Sequence, residues 1–117
     1  MSEGWVDGNL NLSRSIGDLK HKQVKGLEPK DQPITCVPEL KTWKLKEKDE
    51  FIILACDGIW EQKSSQEIVD FVRAWMKKGM ESEKIIEELF EDLISPDYTK
   101  TAGLGCDNMT CILIKLK

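Results

Sequence analysis

Along residues 9–16 the chain alternates, with Leu10, Leu12 and Ile16 on one side and Asn9, Asn11, Ser13 and Ser15 on the other. A period of two predicts a strand, closed by Gly17-Asp18. Polar residues with Gly26, Pro29 and Pro33 predict a long loop over 19–33. Residues 34–37 read as a short strand, which Pro38 confines to an edge or an end. From 40 to 46, Trp43 and Leu45 alternate with Thr42, Lys44 and Lys46, the pattern of a half-buried strand. Lys46-Glu47-Lys48-Asp49 predicts a turn. Residues 51–56, FIILAC, do not alternate, so the expectation is a strand buried on both faces.

Two helices follow. Ser64-Ser65-Gln66-Glu67 has the spacing of a capping box. Beyond it Ile68, Val69, Phe71, Val72, Trp75 and Met76 form a helical stripe that Gly79 stops. Ser82 is the expected cap of the second helix, whose stripe is Ile85, Ile86, Leu89, Phe90 and Leu93, with Pro96 just past its end. Residues 95–106 read as loop and 109–116 as a final strand. Adjacent helices need a sheet face to cover. The predicted class is therefore α+β, a mainly antiparallel sheet with two helices packed on one face. Trp43, Trp60 and Trp75 are expected to pack in or near the core.

Composition narrows the function. The 117 residues suit one domain, and 40% hydrophobic content supplies a core. A net charge of −4 gives no basic footprint for nucleic acid. The modest cluster of Lys20, Lys22, Lys25 and Lys30 reads as a solvated loop. No apolar run reaches the roughly 18 residues a membrane span needs. Residues 1–15 lack the pattern of a signal peptide. The four cysteines, Cys36, Cys56, Cys106 and Cys111, include no CxxC pair, and His21 is the only histidine. That argues against zinc and for a reduced, intracellular protein, cytoplasmic or nuclear. Ser13, Ser15, Ser64 and Ser65 have no nearby histidine base, which argues against a serine nucleophile.

Two aspartates stand out. Asp57 follows the apolar run of residues 51–56 and Asp107 precedes the last one. A carboxylate beside a buried strand needs a partner. If the two strands are antiparallel neighbours, both aspartates fall at the same sheet end, where their like charges call for a cation between them. Oxygen ligands suit Mg²⁺ or Mn²⁺, and Gly58 would let the backbone turn beside the ion. The plainer reading is that Asp57-Gly58 is a turn and Asp107 an Asx-turn. Spacing alone leaves both open.

The wording of four segments is more specific. GNLNLSRSIGD, ILACDGIWE, SSQEIVDFV and GCDNMTCILI, in this order, resemble the metal-dependent serine/threonine protein phosphatases of type 2C, nearly from end to end. The resemblance implies a β-sandwich flanked by helices with a two-metal site in a cleft. It implies hydrolysis of phosphoserine and phosphothreonine in proteins by a metal-activated water, with Mg²⁺ or Mn²⁺. Asp57 and Asp107 stand where the family places two ligands of one metal, and Asp57 where some members touch a third. Arg14 and Asp18 stand at scaffold positions of the SRSIGD motif.

The match covers the C-terminal portion of such a catalytic domain, and 1–117 is read as that portion. The family's phosphate-gripping arginine, its acidic pair and its Asp-Gly-His-Gly motif have no counterpart here; Asp7-Gly8 is not that motif. The expectation is an inactive isolated chain. A halved sandwich exposes an apolar face, so a dimer, or pairing with the missing N-terminal half, is also expected. The rival readings are a non-enzymatic regulatory or interaction relative of the phosphatases, and an unrelated small α+β binding module.

Overall fold

The computed structural model describes residues 5–8, 10–97, 99–101 and 103–116. The elements in chain order are β1 (Phe51–Ala55), α1 (Asp57–Trp60), α2 (Ser65–Lys77), α3 (Ser82–Leu93) and β2 (Cys111–Lys115), preceded by single 3₁₀ turns at Leu19–His21 and Pro29–Asp31. Strands β1 and β2 pair antiparallel, with Phe51 opposite Lys115 and Ala55 opposite Cys111. The class is α+β, as the sequence pattern predicts. By contact, the chain divides into two compact units, 1–44 and 45–117.

In the second unit, local chemistry explains the helices. The Ser64 hydroxyl accepts from the Glu67 N–H and the Glu67 carboxylate accepts from the Ser64 N–H, so the expected capping box forms. At the other end of α2, Gly79 takes φ 76°, the left-handed conformation that ends a helix cheaply only for glycine. Helix α3 departs from expectation. Ser82 is its first residue, and the N-cap is Glu81, whose side chain makes no capping bond.

Both stripes do what their period dictates. Ile68 and Val72 of α2, and Ile85, Leu89 and Leu93 of α3, are buried. Ile59, Ile68, Leu89 and Leu93 form one cluster, against which Ile53, Ala55, Phe71, Phe90, Met109 and Cys111 pack. Each such aliphatic side chain contributes roughly 1.5–3 kcal/mol when fully buried. Trp60 and Trp75 are half-buried, and the Trp60 indole N–H donates to the Ala55 carbonyl at 2.8 Å.

The helices cover one sheet face only. Strand β1 alternates between half-buried and exposed positions, which corrects the expectation of a strand buried on both faces. Ile52, opposite Ile114, and Leu54, opposite Ile112, lie on the other face and are all exposed. An apolar run thus records what could cover a strand, not what does.

The first unit is held differently. Two isolated bridges, Val6 to Leu10 and Arg14 to Thr35, stand where strands over 9–16 and 34–37 were expected; Asn9 lies outside the described residues. Gly17 and Asp18 both take positive φ, and the chain turns there as predicted. Arg14 ties its segment to the next, donating from Nε to the Val37 carbonyl at 3.1 Å and pairing with Glu39. Ser15 donates to Asp18 at 2.9 Å. Gln32 fastens the 19–33 loop through both polar atoms of its amide, to the N–H and C=O of Val24 and the C=O of Leu27. Nδ1 of buried His21 lies 2.9 Å from the Asp7 carboxylate.

Residues 40–46 form no strand. Leu40, Trp43 and Leu45 are exposed, Trp43 by 76%, which corrects its assignment to the core. An alternating segment buries its apolar side only where another layer meets it, and here none does. The 46–49 turn closes as expected, the Asp49 N–H donating to the Lys46 carbonyl at 3.0 Å. Among the described residues, no helix is long and apolar enough to cross a membrane.

Candidate metal centre

Asp57 is the first residue of α1, just past the end of β1, and Asp107 lies in the segment that leads into β2. The antiparallel register puts both at the same end of the two-stranded sheet. Past the last ladder pair, the Cys56 N–H still donates to the Thr110 carbonyl at 3.2 Å. Two residues further along each chain, Gly58 presses against Asn108: a Cβ built on Gly58 would lie 2.5 Å from the Asn108 carbonyl oxygen. Each aspartate is therefore the immediate chain neighbour of one partner in that backbone contact.

Gly58 thus has a different reason from the expected sharp turn. It sits inside α1 and is buried there, and its missing side chain is what lets the two backbones meet.

Both carboxylates are exposed. Each uses one oxygen locally: Asp57 Oδ1 accepts from the Gly58 N–H at 3.1 Å, and Asp107 Oδ1 from the Asn108 N–H at 2.7 Å. These bonds orient the side chains and leave Oδ2 of each for another partner. Among the described residues, no lysine, arginine or histidine pairs with either one. Two oriented, unpaired hard oxygen donors at one sheet end fit the chemistry of Mg²⁺ or Mn²⁺. Their number fits less well, since the described residues hold no cluster of three or more metal-ligating side chains. The pair is half of a cage at most.

The other titratable group here is Cys111. Burial pushes its thiol pKa up, and the neighbouring Cys56 thiol adds to the shift, so it stays protonated and packs as a small apolar residue. Arg14 and Asp18 lie in the first unit and bind backbone and side chains there, as scaffold positions do. Sequence reasoning missed Cys56, treated as a hydrophobe of the strand. Its position between a strand end and a candidate ligand was the available signal.

The comparisons with known proteins agree with the motifs. The family model for protein phosphatase 2C matches residues 1–102. The chain is 47% identical over 97% of its length to protein phosphatase 2C homolog 3 of Schizosaccharomyces pombe, covering 27% of that protein. It is 45% identical over 98% of its length to human protein phosphatase 1G, covering 22%. A probable protein phosphatase 2C 6 of Paramecium tetraurelia is 40% identical over the whole chain, which covers 39% of it. The chain belongs to the protein phosphatase 2C family and spans well under half the length of these relatives.

Proposed function

We propose that this chain is part of a metal-dependent protein phosphatase that hydrolyses phosphoserine and phosphothreonine, with Asp57 and Asp107 holding one Mg²⁺ or Mn²⁺. What carries this reading is the antiparallel β1–β2 register, which brings the two carboxylates to one sheet end in a chain of this family. A bound divalent ion lowers the pKa of its water and offsets phosphate charge. The residues present supply the rest: Asp57 and Asp107 present fixed oxygens, and the Gly58–Asn108 contact sets the spacing of their backbones. Two carboxylates hold such an ion weakly, because Mg²⁺ keeps most of its waters unless further ligands replace them. The 117-residue chain by itself is therefore expected to turn over little phosphopeptide.

Manganese line broadening in amide NMR spectra tests the site. Mn²⁺ at millimolar concentration should broaden signals around Asp57 and Asp107, and Asp57→Asn or Asp107→Asn should each weaken binding by about tenfold or more. Equal broadening in the variants would remove the site. Phosphate release at the rate of a full-length relative would contradict the inactive-fragment reading.

The exposed Ile52, Leu54, Ile112 and Ile114 face supports a second part of the proposal. It is a surface for pairing, with a second copy or with the remainder of a longer chain. Sedimentation that stays monomeric at high concentration would count against the dimer.

A further inference from the structure

We propose that Cys56 is a positioning residue for the candidate metal pair, its sulfur clasping the Asp107 segment to the start of α1. The inference rests on the metal reading of Asp57 and Asp107 given above. Cys56 and Thr110 continue the ladder beyond the Ala55–Cys111 pair. In a hydrogen-bonded antiparallel pair the two residues exchange two N–H···O=C bonds. Here one of the two is present, from the Cys56 N–H to the Thr110 carbonyl at 3.2 Å. The other has lost its acceptor, because the Cys56 carbonyl has turned into α1 and accepts from the Ile59 N–H at 3.2 Å.

The thiol takes the carbonyl's place. Sγ accepts from the Thr110 N–H at 3.2 Å and donates to the Asn108 carbonyl at 3.3 Å. One side chain thereby grips the chain on both sides of Met109, and Asn108 is the direct neighbour of Asp107. It allows the strand to become a helix at Asp57 without releasing the opposite segment. The position calls for a small side chain that both donates and accepts. Serine meets that description, and valine, of similar size, does not.

The test uses the 117-residue chain and Mn²⁺ as the probe, reading the Mn²⁺ concentration that half-broadens the amide signals around residues 57 and 107. Cys56→Val should raise that midpoint about three- to tenfold, within or below the range that groups supporting metal ligands usually contribute. Cys56→Ser should stay within about twofold, and Cys36→Ala, in the first unit, should change nothing. An unchanged midpoint in Cys56→Val, while Asp57→Asn and Asp107→Asn abolish broadening, overturns the positioning role and leaves the metal reading standing. So does a Cys56→Ser loss as large as that of valine. Absence of any Mn²⁺ response around 57 and 107 in the unaltered chain overturns both.

A second measurement needs no variant. Coupling between two sites is reciprocal, so Mg²⁺ at a concentration that shifts the signals of residues 57 and 107 should slow exchange of the Thr110 amide hydrogen. Exchange that is unaffected while those signals move overturns the proposal even if Cys56→Val fails to fold.

Discussion

Among the described residues of 45–117, three helices and an antiparallel ladder organise the backbone, and apolar side chains from both longer helices meet over one sheet face. In residues 5–44 of the first unit, two isolated bridges and two 3₁₀ turns carry little of that load, and side chains such as Arg14 and Gln32 reach for backbone carbonyls instead. Both regions have alternating or periodic apolar residues in the sequence. The difference is that a helix closes its own hydrogen bonds, whereas a strand needs a neighbour before its pattern means anything. Among the described residues, the second region contains a laddered strand pair and the first only isolated bridges.

The largest test of this contrast compares two bulky apolar residues, one from each region. Ile59 is fully buried in the helical cluster, and Ile59→Ala should cost about 2–5 kcal/mol by urea denaturation. Trp43, the larger side chain, is 76% exposed, and Trp43→Ala should stay within about 0.5 kcal/mol. A tryptophan loss equal to the isoleucine loss would break the comparison.

Next in size is Gly58→Ala. The added methyl would strike the Asn108 carbonyl, a backbone atom that cannot swing aside. Forced shifts of this kind cost about 1–3 kcal/mol, and circular dichroism melting measures them. The same variant should weaken Mn²⁺ binding, because the shift falls between the two aspartates. A fully tolerated alanine would show that this sheet end is looser than the contact implies.

Ser64→Ala removes a helix cap and should cost about 1 kcal/mol, read from the same melting curves. Its partner gives a pH signature. Hydrogen bonds from the Ser64 hydroxyl and N–H hold the Glu67 carboxyl below the usual glutamate range, with Lys63 adding to the effect. The folded value is the lower one, so the contribution is fully present above the unfolded value of about 4.3. It is lost as pH falls through the folded value. The gap in melting temperature between the unaltered chain and Glu67→Gln should therefore close on acidification from neutral pH. A gap that stays constant would show that the carboxylate charge contributes nothing to the cap.

What was legible in the sequence follows the same line. The capping box at Ser64, the stripes of α2 and α3 and the stop at Gly79 are local, and each stands where the pattern put it. The three strands expected before residue 47 did not form, since alternation names a face without naming its cover. Ser82 failed as a cap because its neighbour Glu81 holds that position. At the candidate site, the shared sheet end of Asp57 and Asp107 was readable from two apolar runs taken as an antiparallel pair. The sulfur bridge was not readable, because it depends on a carbonyl that has turned away. The sequence position of Cys56 marks the residue, but only the fold shows where its carbonyl points.

The uncovered aliphatic side of the two-stranded sheet also governs how this polypeptide behaves in a tube. Four branched hydrocarbon groups face water there, and a net charge of −4 is what keeps molecules apart. Near the isoelectric point of about 5.1 that repulsion vanishes. Stocks should turn cloudy first in mildly acidic buffer, and neutral to slightly alkaline storage at modest concentration should keep them clear.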